Sequence, residues 1–163
     1  MVGCGASQPS PDGPIPVVAT ARDAKFQITL ATPSSTFLTD EPVRPVAEVT
    51  YLGPGNVTVY HAASMVGFRI AEVGGRRTMG GGMDLPCLQT PMAAGQRLPF
   101  EFQKGGAVAD NPAEGFDRAW YEEPELRLPP GRWQITAYLS ASLGDCGGER
   151  HELETSIEVL VAP

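Results

Sequence analysis

The groups in this chain that could do chemistry are few. Two histidines, three cysteines and five methionines carry its imidazole and sulfur. A hydrolytic triad needs an imidazole beside a nucleophile and an orienting acid. His61 and His151 are the only imidazoles, and Ser64, three residues after His61, sits in no Gly-x-Ser-x-Gly elbow. Both histidines read as solvent-exposed strand-end residues. A blue-copper centre requires two imidazoles, a thiolate and a thioether close together, and Cys87-Leu-Gln-Thr-Pro-Met92 lacks the intervening His. A softer copper(I) site could draw on His61, Met65, Met79 and Met83. The run Met79-Gly-Gly-Gly-Met83 reads more simply as a loop with two gap-filling side chains. Asp110-Asn-Pro-Ala-Glu114-Gly-Phe-Asp117 is rich in oxygen, without the one-three-five spacing and closing Glu of a calcium loop. Glu122-Glu123-Pro-Glu125 offers carboxylates, but a glycosidase needs a sugar-sized cleft lined with aromatics, and aromatics are 7% of this chain. The sequence predicts no catalytic residues, no resident metal and no cofactor.

The cysteines divide into one and two. Cys87 (Asp-Leu-Pro-Cys-Leu) and Cys146 (Gly-Asp-Cys-Gly-Gly) both stand in loop contexts. Two loop cysteines in a β-rich chain most simply pair, which implies an oxidising, extracytoplasmic compartment. Cys4 stands apart in a run rich in Ser, Pro and Gly. Val2-Gly3-Cys4 resembles the end of a bacterial lipoprotein signal, whose cysteine receives the lipid, and the run after it resembles a flexible tether. No apolar run approaches the roughly 20 residues a membrane-crossing helix needs. Membrane attachment would then be through a lipid on Cys4 alone.

Twelve basic against nineteen acidic residues give a net charge of -7. A field of that sign repels nucleic acid and anionic lipid, which removes nucleic acid from the expected partners. The length of 163 residues suits one domain, large enough to bury about two thirds of its unfolded surface. Nineteen glycines and sixteen prolines suit short strands joined by turns.

Alternation places most of these elements. Trp133, Ile135, Ala137 and Leu139 share one face, and Leu153, Thr155, Ile157, Val159 and Val161 share another after the Gly-rich turn. That is a hairpin with one buried and one wet face. Earlier strands are expected over 17–20, 25–31, 46–52, 57–61, 66–73 and 97–103, with turns at Gly53-Pro-Gly-Asn56 and Gly74-Gly75. Residues 104–128 break the pattern. There Asn111-Pro-Ala-Glu114 reads as a helix start, and a short helix is expected to end before Pro124. The fold expected is a single antiparallel, immunoglobulin-like β-sandwich of seven to nine strands over 17–163, with 1–16 as a tether. Its core is expected to hold Phe26, Ile28, Leu30, Val49, Phe68, Ile70, Phe100, Trp133, Ile135, Leu139, Ile157 and Val159.

These features, with Glu41-Pro-Val43, the Tyr-Leu-Gly-Pro-Gly turn and Leu-Pro-Pro-Gly-Arg-Trp-Gln-Ile-Thr-Ala over 128–137, resemble the immunoglobulin-like domains of bacterial surface lipoproteins. The chain is similar in particular to the BsuPI type, named for an intracellular proteinase inhibitor, over roughly 25–161. Two functions follow as expectations. One is a non-catalytic domain that binds a protein or cell-envelope component through the irregular segments 76–92 and 104–126, with Phe116, Trp120 and Tyr121 as anchors. The other, which the resemblance implies, is a proteinase inhibitor that presents Leu85-Pro-Cys87-Leu88 as a stiffened loop.

Overall fold

Alternation becomes burial most clearly in the closing hairpin. The computed structural model describes residues 15–80, 87–105, 108 and 115–163. Its strands are β1 (Val17–Arg22), β2 (Phe26–Thr32), β3 (Thr36–Leu38), β4 (Val46–Tyr51), β5 (Asn56–Glu72), β6 (Thr78–Met79), β7 (Leu88–Ala93), β8 (Arg97–Glu101), β9 (Gly131–Leu143) and β10 (Glu149–Ala162), with one helix, α1 (Arg118–Glu122). β9 and β10 pair in unbroken register from Glu149 opposite Leu143 to Val161 opposite Gly131. Trp133, Ile135, Ala137 and Leu139 therefore meet Val159, Ile157, Thr155 and Leu153 on the inner side.

Two sheets stack as a sandwich. One runs β1-β2-β4-β8, antiparallel throughout. The other runs β3-β10-β9-β5-β6, with β7 also paired to β5. Only β3 lies parallel to its neighbour, β10, among the described strands. Phe26, Ile28 and Leu30 from the first sheet and Trp133 and Ile135 from the second are wholly buried between them. Each such side chain stabilises the fold by about 1.5–3 kcal/mol relative to exposure. Eleven of the twelve expected core residues are buried. Phe100 is only partly so, because β8 is the margin of its sheet and has a neighbour on one side.

β5 is one long strand where the sequence reads two. Its register slips between His61, opposite Ala141, and Val66, opposite Leu139. This bulge keeps Val59 before it and Val66, Phe68 and Ile70 after it against the inner residues of β9.

Two expectations are corrected here. Ten strands lie among the described residues, because the three-residue β3 and two-residue β6 are too short to show a period. The segment 76–92 is not wholly irregular, since β6 and β7 lie in it as edge strands on β5. Pro91 in β7 and Pro99 in β8 fit edge positions, which do not need every N–H. The short helix expected before Pro124 is present. It is capped by Asp117, whose side chain accepts from the Trp120 N–H at 2.9 Å, and it ends ahead of Pro124. The expected start at Asn111 lies outside the described residues. No helix among them is long and apolar enough to cross a membrane.

Candidate functional site

Cys87, just ahead of β7, and Cys146, in the β9–β10 turn, form a disulfide with Cα atoms 6.0 Å apart. Both residues are exposed. The bond ties an edge strand, which among the described strands pairs only with β5, to the hairpin tip. Leu88, next in the chain, is 41% exposed and stands opposite His61. Cys4, Leu85 and Met83 lie outside the described residues.

His61 is half-buried, with both ring nitrogens engaged. Nδ1 lies 2.7 Å from the Ala62 carbonyl and Nε2 2.8 Å from Thr90 Oγ1. A carbonyl only accepts, so Nδ1 carries the proton and Nε2 accepts from the threonine hydroxyl. Met65 and Met79 are buried in the core, and Met79 Sδ accepts the Gly105 N–H at 3.2 Å. Of the residues a copper(I) site could draw on, His61 is thus engaged by Ala62 and Thr90, Met65 and Met79 pack in the core, and Met83 lies outside the described residues. Ser64 Oγ donates to the Val66 carbonyl at 2.6 Å within the bulge. Among the described residues no three His, Cys, Asp or Glu side chains are grouped to hold a metal ion.

His151 also departs from expectation. It is 6% exposed rather than solvent-facing, because it is in phase with Leu153 and Thr155 on the inner side of β10. Nδ1 meets Asp23 Oδ2 at 2.7 Å, and the ring stands edge-on to Phe26 at 5.1 Å. Asp23 Oδ1 accepts from the backbone N–H groups of Lys25 and Phe26, each at 2.7 Å. Partial burial acts to raise the Asp23 pKa. The hydrogen bonds from His151, Lys25 and Phe26 outweigh it and hold the carboxyl below its ordinary range. Nε2 is buried without a hydrogen bond, with Glu149 Oε1 at 3.5 Å. An imidazole closed off in this way is a structural tie between the sheets, not a base open to substrate.

The expected aromatic anchors turn inward. Phe116 is 4% exposed and stacks on Trp120 at 3.8 Å between centroids, with Trp133 at 5.8 Å. This corrects its assignment as a surface anchor: the ring continues the sandwich core into the insertion. Trp120 and Tyr121 are half-buried. Trp120 Nε1 donates to the Arg127 carbonyl at 2.7 Å, and Tyr121 stands edge-on to Trp120 at 5.0 Å. Lys104 Nζ lies over the Trp120 ring at 4.1 Å and donates to the carbonyls of Trp120 and Glu123. Burial lowers the Lys104 pKa, against the opposing pull of Glu123, and burial raises that of Tyr121.

The outer face of the six-stranded sheet is where polar side chains gather. Tyr138 lies across Gly67, its cross-strand partner. A Cβ on Gly67 would stand 2.2 Å from the ring, so any larger residue there would have to push the tyrosine aside. The Arg69 guanidinium sits over the Tyr138 ring at 5.4 Å and pairs with Glu154 of β10. Gly80, at φ +126°, passes close to Arg69 and the Phe68 carbonyl. A hollow of about 490 Å³ opens between Arg69, Tyr138, Ser140, Glu152 and Glu154. A second of about 480 Å³ shares Arg69 and Glu154 and reaches Gln134, Thr136 and Ser156. A third of about 350 Å³ shares Tyr138 and Ser140 and ends at His61 and the disulfide. Sequence reasoning marked the outward alternation of β9 and β10 as wet. The in-phase recurrence of Arg, Tyr, Ser and Glu there was the available signal for a polar groove.

No protein-family model matches the chain, and no curated protein matches its sequence significantly.

Proposed function

We propose that this chain is a non-catalytic binding domain acting outside the cytoplasm, carried by a bacterial envelope lipoprotein anchored through Cys4. The observation that carries this reading is the polar groove on the outer face of β5, β9 and β10. It lies on paired strands, so its residues are held in place before a ligand arrives, which lowers the cost of binding. The exposed Cys87–Cys146 bond supports an oxidising compartment, where such a bond persists. The partner is a component of the cell envelope.

The test is retention on the immobilised domain, using solubilised envelope and cytoplasmic extract side by side. Saturable capture of an envelope component, competed by free domain, is expected. Capture from neither fraction, or from cytoplasm only, would overturn the proposal.

A second reading is proteinase inhibition. Leu88, exposed directly after the disulfide-anchored Cys87, favours it: a tied, extended segment resists cleavage in a protease cleft. Titration against secreted and cytosolic serine proteases decides this, and no inhibition at micromolar concentration would remove it.

A further inference from the structure

We propose that β1 is a docking edge for a second copy of this chain. The two β1 strands pair antiparallel about a two-fold axis at Thr20 and join two four-stranded sheets into one continuous sheet.

The sheet margins are guarded unequally. Among the described strands, β1, β3, β6, β7 and β8 lie at a margin. β3 and β6, of three and two residues, are too short to template a partner. In β7 the adjoining Ala94 N–H donates to the Gly55 carbonyl at 2.7 Å. The register then bonds Thr90 and Met92 inward to β5 and turns the backbone of Gln89, Pro91 and Ala93 outward. At β8 the Phe102 N–H donates to the Pro45 carbonyl at 3.3 Å, and the same alternation turns Arg97, Pro99 and Glu101 outward. Each of these margins thus has a proline where an outward N–H would stand, which hinders strand pairing. Gln96 Oε1 takes the outward N–H of Ala93 as well, at 2.8 Å.

β1 has no such guard. Its six residues, Val-Val-Ala-Thr-Ala-Arg, include no proline and carry one charge, at the end. The Asp23 N–H donates to the Phe26 carbonyl at 2.9 Å. Counted back through the β1–β2 register, Val17, Ala19 and Ala21 bond to β2, while Val18, Thr20 and Arg22 direct N–H and C=O outward. Among the described residues no backbone hydrogen bond reaches those outward groups.

The occupant follows from the symmetry of that row. A two-fold axis at Thr20 sets Val18 opposite the partner's Arg22 and Thr20 opposite the partner's Thr20. All three outward residues then fall in hydrogen-bonded pairs, with none left over. Val18 is 58% exposed, and the aliphatic stem of the partner's Arg22 covers it. The one charge of β1 meets an apolar residue rather than another arginine, and Thr20 meets Thr20, a favourable cross-strand pair. A foreign peptide would find the same hydrogen bonds but no side-chain pocket beside them, since the hollows described above lie on the other sheet.

The experiment is sedimentation equilibrium of the whole chain, with Cys4 alkylated, from micromolar to millimolar concentration. Amide hydrogen exchange is read at both ends of that range. A reversible dimer is expected. The amides of Val18, Thr20 and Arg22 should exchange about tenfold or more slower at the high concentration, while those of Ala19 and Ala21 stay slow at both. Thr20→Pro removes an outward N–H and leaves the β2 ladder its donors, so it should weaken the dimer about tenfold or more. Val18→Lys alters an exposed side chain and should weaken it by facing the partner's Arg22, and adding Arg22→Glu should restore it. This charge series decides even where the proline variant fails to fold. A monomer at millimolar concentration, protection elsewhere, or a dimer indifferent to the Val18→Lys series would overturn the proposal. None of these outcomes touches the binding-domain reading, whose groove lies on the other sheet.

Discussion

His151 of β10 and Asp23 of the β1–β2 turn, 128 positions apart in the chain, meet at 2.7 Å and join the two sheets at one end of the sandwich. Asp23 spends one carboxylate oxygen on His151 and the other on two backbone N–H groups. Its negative charge is thus engaged on both sides, and the carboxyl is held below its ordinary pKa.

That depression has a sign in stability. A carboxyl whose folded pKa lies below its unfolded value of about 3.9 stabilises the fold above that value. The contribution is lost as pH falls through the folded pKa. Asp23→Asn should therefore cost about 1.5–3 kcal/mol at pH 7, with the gap from wild type closing under acid conditions. Urea melts at neutral pH and below the carboxylate range check this. A gap independent of pH would show that Asp23 acts by shape alone.

The disulfide closes a span of 59 residues, for which chain entropy gives about 4 kcal/mol. Replacing both Cys87 and Cys146 with serine should lower stability by about 2–5 kcal/mol and leave the sheets intact by circular dichroism. Thiol titration of unreduced, denatured protein should find one of the three cysteines reactive. Three reactive thiols would refute the bond.

Because Phe116 stacks inside on Trp120 and Trp133, Phe116→Ala should cost about 3–5 kcal/mol in denaturant melts. A residue serving only as a surface anchor would leave stability unchanged when truncated.

Gly67 and Tyr138 are coupled through the ring that lies over the glycine. Gly67→Ala should destabilise by about 1–3 kcal/mol in wild type through overpacking. In a Tyr138→Ala background the same change should cost under about 1 kcal/mol. A double-mutant cycle with no interaction energy would place the ring elsewhere.

Sequence alone determined the frame wherever a strand is wet on one side. β2, β9 and β10 write their burial as a two-residue period, so their inner residues could be read directly. Cys87 and Cys146 could be paired by context alone. His151 was legible as well, since it keeps the phase of Leu153 and Thr155, although an imidazole near a turn reads more readily as exposed. Tertiary structure decided the rest. β7 buries only Met92 fully and exists because β5 offers it a ladder, so its own pattern is silent. Phe116 and Trp120 suit a surface or a core equally well, and Trp133 at the end of the sandwich settles which. Asp23 carries no mark of His151 in its neighbourhood. The groove is the most dependent of all: its rows come from three strands, and only the bulge in β5 brings Gly67 under Tyr138 and Arg69 beside Glu154. Local periodicity records which way a side chain points, and register between distant strands records what it meets.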